Sequence, residues 1–75
     1  MTLRISILGA GSWGIALANY AADLGHQVGL WEFDPAVATT LDRERRREAM
    51  LPGVLIHRDI RITSELAEAV QGVDL

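Results

Sequence analysis

The chain has 75 residues, 49% of them hydrophobic and 23% charged, with a formal net charge of −3 and no cysteine. That length fits one small domain at most, and the composition is typical of an ordered globular protein. The acidic balance argues against a general nucleic-acid binder, and the lack of cysteine excludes disulfides and thiolate metal sites.

The first half of the chain predicts a strand, a turn, a helix and a second strand. Alternating apolar residues over Leu3–Leu8 favour an extended strand, and the glycine-rich sequence GAGSWG follows it as a tight turn. An alanine- and leucine-rich helix is expected over Ile15–Leu24, ended by Gly25, before a short strand over Gln27–Trp31. The helix positions expected to face the sheet are Gly14, Leu17, Ala18 and Ala21.

The second half predicts a helix, a brief strand and another helix. Asp34 before Pro35 is a strong helix start, so the second helix is expected over Pro35–Glu48, and its inward residues are Val37, Ala38 and Leu41. Pro52-Gly53 indicates a turn, and Ile60–Thr63 is a strand candidate. The third helix is expected to be capped by Thr63 or Ser64, to carry Glu65 and Glu68 in its first turn, and to end at Gly72, with Val73–Leu75 beginning a further strand.

Strands that alternate with helices imply a parallel sheet with right-handed crossovers. The predicted fold class is α/β, a Rossmann-type doubly wound parallel sheet that is incomplete, with this chain as its N-terminal β-α-β-α portion. We expect residues 1–75 to be the N-terminal part of a dinucleotide-binding domain, and a substrate domain to lie outside this chain. We also expect the chain to fold poorly alone, because missing strands would leave an apolar face and a sheet edge uncovered.

The sequence GAGSWG has the pattern G-x-G-x-x-G between a strand and a helix, the context in which this pattern binds dinucleotides. Gly9 would permit the tight turn, Gly11 would let the backbone approach a pyrophosphate, and Gly14 would allow the helix to pack closely on the strand. The helix N-terminus would offer N–H groups to the phosphates, and Ser12 a hydroxyl donor. Trp13 either covers the cofactor or packs against the protein.

The acid expected to bind the adenosine ribose is Glu32, which follows the second strand at about the usual 20 residues beyond the glycines. Asp34 competes for this role but is already needed as a helix cap, and the alternative for Glu32 is a solvated loop carboxylate. A carboxylate on the ribose 2′-hydroxyl would repel the 2′-phosphate of NADP, so Glu32 predicts a preference for NAD.

The remaining polar residues predict no metal site and no catalytic residue. We interpret Arg43–Arg47 as an exposed helix face on which Asp42 pairs with Arg46 and Glu44 with Arg47, although such a cluster is also able to reach an anion. His26 and His57 are too isolated for a metal site or a catalytic triad, and we expect both in loops or at strand edges.

Four segments, GAGSWGIALA, LGHQVGLWEFDP, LPGV and IRITSELAEAVQGVDL, resemble the N-terminus of NAD(P)-dependent glycerol-3-phosphate dehydrogenases. The most specific features are Ser12-Trp13 inside the glycine motif and Leu30-Trp31 at the end of the second strand. The resemblance implies hydride transfer between NAD(P)H and dihydroxyacetone phosphate, which gives sn-glycerol 3-phosphate for phospholipid synthesis. It implies that Ser12 and Trp13 contact the cofactor, and that position 33 lies at the cofactor as well. Together with the glycine motif and Glu32, this predicts NAD as cofactor, with NADP as the second option, and a site made of Gly9, Ala10, Gly11, Ser12, Trp13, Gly14, Glu32 and Phe33.

The chain departs from this family in two places. Phe33 stands where the family often has a basic residue that favours NADPH, which again favours NAD, and Ile15 replaces the usual threonine with consequences for packing only. The family's catalytic lysines and substrate-phosphate ligands lie in later strands and in a helical C-terminal domain. This chain has no lysine, and we expect it to be inactive on its own.

The implied partners are a small phosphate substrate in the full-length protein and, as an option, further copies of the same protein, with no nucleic acid and no membrane span. We expect a cytoplasmic location, because the chain has neither a secretory signal nor the roughly 20 consecutive apolar residues that span a bilayer.

Two alternatives stay open. Another Rossmann dehydrogenase, of the 6-phosphogluconate, hydroxyacyl-CoA or prephenate type, would share this opening unit and differ after Leu75. A non-catalytic NAD(H)-sensing module would lack a lysine-bearing substrate domain and would not oxidise NADH when dihydroxyacetone phosphate is added.

Overall fold

Strands and helices alternate along the chain, as the sequence predicts. A computed structural model describes residues 1–75, with the elements β1 (Arg4–Leu8), α1 (Ser12–Asp23), β2 (Gln27–Trp31), α2 (Pro35–Glu44), β3 (Arg61–Thr63) and α3 (Leu66–Val70). The three strands form one sheet in the order β1-β2-β3, and both strand pairs are parallel. The parallel α/β sheet is therefore confirmed.

The second edge of β1 is paired with the last residues of the chain. The Ser6 N–H donates to the Leu75 carbonyl (2.9 Å), and the Leu75 N–H donates to the Arg4 carbonyl (3.3 Å), which is the pattern of a parallel pair. The chain thus returns from β3 past β2 and lies on the far side of β1. A reversal of strand order of this kind marks the position where α/β sheets bind ligands, beyond the carboxyl ends of the strands.

The core brings the sheet together with α1 and α2. Its most buried large side chains are Ile15, Leu30 and Leu41, each at most 2% exposed. On α1 the inward face consists of Ile15, Ala18 and Ala21, whereas Leu17 is 52% exposed. The prediction that Leu17 faces the sheet is wrong. Because the first turn of α1 packs closely on β1, the side of the helix centred on Ala18 faces the sheet instead.

The first helix begins earlier than the sequence predicts. Gly11 has the extended backbone of an N-cap, so Ser12 is the first helical residue instead of Ile15. The second half of the glycine motif is consequently the first turn of α1, and Gly25, with φ of 92°, follows the helix as predicted.

The second helix begins as predicted and ends four residues early. Asp34 caps it by accepting from the N–H groups of Ala36 (2.9 Å) and Val37 (3.4 Å). Arg45 then adopts a left-handed backbone with φ of 58°, which stops the helix at Glu44 instead of Glu48. Residues 45–60, which we call the α2–β3 connection, leave the helix axis at this point.

The third helix also differs at its start. Glu65 occupies the N-cap position without a side-chain cap bond, so the prediction of Thr63 or Ser64 as the cap is wrong. The Thr63 hydroxyl instead accepts from the Glu65 N–H (3.0 Å) in the turn that precedes the helix.

Much of the apolar surface of this chain remains accessible. Twelve of the 75 residues are buried, and Tyr20 on α1 and Leu24 directly after it are 64% and 59% exposed. Poor folding of the isolated chain stays a prediction. None of the helices has the length and apolar composition needed to cross a bilayer.

Candidate functional site

The glycine motif forms the junction between β1 and α1. Gly9 has φ of 130°, a conformation that L-residues rarely adopt, and its N–H donates to the Trp31 carbonyl at the end of β2 (2.9 Å). A Cβ at Gly14 would overlap the carbonyl oxygen of Gly9 and lie 3.5 Å from Cγ2 of Ile7. Only glycine at position 14 therefore allows α1 to lie this close to β1.

The space above the turn is open. A Cβ at Gly11 would meet no atom within 4 Å, although the backbone there is the N-cap of α1. The first helical bond runs from the Ile15 N–H to the Gly11 carbonyl (3.0 Å), and no side chain caps the N–H groups before it. Uncapped N–H groups at the N-terminus of a helix are suited to an anion, so these residues fit the pyrophosphate of a dinucleotide.

Ser12 and Trp13 lie in the first turn of α1 and face different surroundings. The Ser12 hydroxyl donates to the carbonyl of Met50 in the α2–β3 connection and so does not point into the open space above the turn. The Trp13 side chain is 81% exposed. Within residues 1–75 the Trp13 side chain therefore does not pack, and its contact with the cofactor stays a prediction.

Glu32 follows β2 and is buried, at 5% exposure, so the alternative of a solvated loop carboxylate is wrong. Its backbone N–H donates to the Thr63 carbonyl (3.0 Å), which fixes it beside β3. Its carboxylate accepts from the Asp34 N–H (3.1 Å) through one oxygen and pairs with Arg47 (3.2 Å) through the other. The sequence-based preference for NAD assumed a carboxylate without a cationic partner.

Arg47 connects Glu32 to the glycine motif. Its Nη1 donates to the Ala10 carbonyl (2.6 Å) as well as to Glu32, and its side chain is 22% exposed. The predicted pairing of Arg47 with Glu44 is wrong, because α2 ends before residue 47 and Arg47 leaves the helix face. No glycine or proline marks this helix end, so sequence reasoning missed Arg47 as a residue of the site.

The neighbouring arginines are occupied elsewhere. Arg43 pairs with Glu44 (3.2 Å) and Arg46 lies 3.9 Å from Glu48, both on the surface. Asp42 pairs with Arg45 (3.1 Å) and not with Arg46, so that prediction is also wrong, for the same reason.

The α2–β3 connection is held across α1 by side-chain bonds to backbone groups. Asn19 on α1 donates to the Leu55 carbonyl (3.0 Å) and accepts from the His57 N–H (2.8 Å). Arg45 donates to the carbonyls of His57 (2.6 Å) and Ile60 (2.7 Å). These bonds place the connection beside the glycine motif, and nothing local in the sequence marks Asn19 for this role.

Both histidines lie outside regular elements, as predicted. Nδ1 of His26 accepts from the Leu3 N–H (3.0 Å), and Nδ1 of His57 accepts from the Asp59 N–H (3.2 Å). No three His, Asp or Glu side chains converge closely enough to hold a metal ion.

Phe33 completes the set of predicted site residues. It comes directly after Glu32, and its side chain is 75% exposed. Because β1 and β2 are parallel, the turn after β1 and the residues after β2 meet at one edge of the sheet. The structure therefore brings the glycine motif, Glu32 and Phe33 to the same edge and adds Arg47 between them.

Comparison with known proteins gives consistent matches along this chain. Residues 4–75 match the family described as NAD-dependent glycerol-3-phosphate dehydrogenase N-terminus. The chain is 42% identical over 73 residues to glycerol-3-phosphate dehydrogenase (NAD(P)+) of Trichlorobacter lovleyi, covering 97% of this chain and 22% of that protein. It is 44% identical over 69 residues to the same enzyme of Stenotrophomonas maltophilia, covering 92% and 20%.

A solved structure shows the same fold. The crystal structure of glycerol-3-phosphate dehydrogenase from Coxiella burnetii superposes with a TM-score of 0.86 at 32% identity, covering 96% of this chain and 22% of that one. This match confirms the Rossmann-type doubly wound α/β fold. The chain spans about a fifth of the length of the relatives it matches, 22% for the first of them.

Proposed function

The chain belongs to the family of NAD-dependent glycerol-3-phosphate dehydrogenase N-termini, and on that basis we propose that it binds the nicotinamide cofactor, NAD or NADP, of an oxidoreductase. The proposed reaction is reversible hydride transfer between NAD(P)H and dihydroxyacetone phosphate, which gives sn-glycerol 3-phosphate. The observation that carries the proposal is the geometry of the glycine motif. At Gly14, α1 lies too close to β1 to leave room for a side chain, and at Gly11 the space beside the backbone is open.

The pyrophosphate is assigned to the junction of β1 and α1. Gly9 turns the chain, Ala10 and Gly11 bring the backbone to the phosphates, and the first N–H groups of α1 donate to the phosphate oxygens. The Ser12 hydroxyl lies at the same helix end and becomes a further donor if it rotates away from Met50.

The adenosine and nicotinamide halves are assigned to opposite sides of that junction. The Glu32 carboxylate would accept from the ribose, and the exposed Phe33 ring would contact the adenine. Trp13, exposed on the first turn of α1, would cover the phosphate or nicotinamide side. When bound, the nicotinamide supplies or accepts the hydride, and the chain's own residues orient it.

The groups that bind substrate are assigned to a separate domain of the natural protein. The chain contains no lysine, and it spans about a fifth of its relatives, 22% of the first. We therefore propose that residues 1–75 form the N-terminal part of the dinucleotide-binding domain and hold the cofactor only.

The experiment compares two glycine variants in the natural protein that carries this chain. Gly11→Ala should weaken NADH binding about tenfold to a hundredfold, because the new methyl group occupies the ligand's space. Its melting temperature should fall only slightly, because that methyl meets no protein atom and the one cost is that alanine is a poorer helix N-cap than glycine. Gly29→Ala in β2 is the control, since its Cβ makes only ordinary contacts at 3.9 Å and lies outside the motif.

Turnover separates the proposal from its alternatives. The wild-type protein should oxidise NADH when dihydroxyacetone phosphate is added, measured as loss of absorbance at the nicotinamide band. Binding of NADH without this turnover would favour a sensing module or a dehydrogenase for another substrate. Absence of NADH binding would refute the cofactor site itself.

A further inference from the structure

We propose that Arg47 determines which adenosine ribose the site accepts, and that it lets the site bind the 2′-phosphate of NADP as well as the 2′-hydroxyl of NAD. The inference rests on the proposed cofactor-binding function. It assigns to the α2–β3 connection a specificity residue that lies outside the glycine motif and outside β2.

The position of the guanidinium supports this role. Nη1 of Arg47 lies 2.6 Å from the Ala10 carbonyl oxygen and 3.2 Å from the Glu32 carboxylate, so the group sits between the phosphate turn and the ribose acid. Both bonds use Nη1, and the other edge of the guanidinium, with Nη2 and Nε, keeps its donors for a ligand. At 22% exposure the side chain is accessible at the surface of the site.

The negative charge of Glu32 and the positive charge of Arg47 balance, which removes the repulsion that Glu32 alone would exert on a 2′-phosphate. An unpaired Glu32 would repel a 2′-phosphate, whereas the Glu32–Arg47 pair has no net charge. The carboxylate oxygens retain acceptor positions for a 2′-hydroxyl, because each oxygen can accept more than one hydrogen bond. A guanidinium can bind phosphate through two parallel N–H bonds, so the same pair suits either ribose.

The other cations of this region have partners elsewhere. Arg43 and Arg46 are paired on the surface, and the Arg45 guanidinium is held by backbone carbonyls of the α2–β3 connection. The residue after Glu32 is Phe33, which carries no charge. Recognition of a 2′-phosphate therefore falls to Arg47.

The test measures the equilibrium binding of NADH and of NADPH to the natural protein carrying this chain, with nicotinamide fluorescence as the signal. Arg47→Gln removes the charge and the guanidinium donors and leaves a shorter, neutral amide at this position. We expect it to weaken NADPH binding about tenfold to a hundredfold more than NADH binding, the usual range for losing hydrogen bonds to a charged group. Arg46→Gln is the matched control and should leave both affinities unchanged. Glu32→Gln should act in the opposite direction to Arg47→Gln and raise the affinity for NADPH relative to that for NADH.

If Arg47→Gln loses the same affinity for both nucleotides, or loses none for NADPH, the inference is overturned. The proposed function still holds in that case, provided that the wild-type protein binds NADH. If wild-type protein binds neither nucleotide, the proposed function fails and this inference with it.

A second measurement needs no variant and decides the matter if Arg47→Gln does not fold. Adenosine 2′,5′-bisphosphate and AMP are compared as competitors for NADH on the wild-type protein. Displacement by the bisphosphate at a concentration equal to or below that of AMP supports the inference. A bisphosphate that binds tenfold more weakly than AMP contradicts it.

Discussion

Replacing Gly14 with alanine tests the close approach of α1 to β1. The added Cβ would overlap the Gly9 carbonyl oxygen, lie 3.0 Å from the Gly9 carbonyl carbon and touch Cγ2 of Ile7 at 3.5 Å. The overlapping atom belongs to the backbone, so no side-chain rotation relieves the overlap. Either α1 moves away from β1 or the turn at Gly9 changes its conformation.

The size of the effect follows from two opposing contributions. Forcing extra atoms into a packed region destabilises a protein by typically about 1–3 kcal/mol, and a backbone collision belongs at the upper end of that range. Alanine at a helical position gains up to about 1 kcal/mol over glycine. We therefore expect Gly14→Ala to lower the free energy of unfolding by about 2 kcal/mol.

The assay is urea unfolding of the natural protein carrying this chain, together with NADH binding. The control is Gly29→Ala, whose Cβ makes only ordinary contacts and which should change stability by no more than about 0.5 kcal/mol. NADH binding should weaken in Gly14→Ala, because the shifted turn carries Gly9 and Gly11 with it. Unchanged stability in Gly14→Ala would show that α1 does not need this close seat, and the reasoning would fail.

Three further substitutions test how α2 and the α2–β3 connection are held, each by urea unfolding of the same protein. Asp34→Ala removes the cap of α2 and should lower the free energy of unfolding by about 1 kcal/mol, whereas Asp34→Asn should recover most of it. Arg45→Met removes the charged donor to the carbonyls of His57 and Ile60 and should cost about 1–3 kcal/mol, with faster hydrogen exchange in the connection. Exchange that is unchanged in Arg45→Met would contradict this role. Leu41→Ala opens a cavity beneath α2, where Leu41 is 2% exposed, and should cost about 2–5 kcal/mol, so a smaller loss would mean that the site collapses around the alanine.

Local patterns in the sequence were sufficient for the order of elements and for the glycine motif. Three of these features depend on residues within a few positions of one another. They are the alternation of apolar residues in β1, the bounds of β2 and the capping of α2 by Asp34. The requirement for glycine at positions 9 and 14 follows from a strand that must turn directly into a helix packed against it. The same segments also identified the family.

The surroundings of the site were decided by the tertiary structure. Arg45 ends α2 in a left-handed conformation with no glycine to announce it, because its guanidinium binds carbonyls 12 and 15 residues further along the chain. That early end takes Arg47 off the helix face and places it on Glu32, 15 residues away, and on Ala10, 37 residues away. Sequence periodicity reports only neighbours on one strand or helix, and these bonds join separate elements. The sequence thus determined that a strand, a glycine turn and an acid would meet at one edge of a sheet, and the path of the α2–β3 connection decided which charge would stand between them.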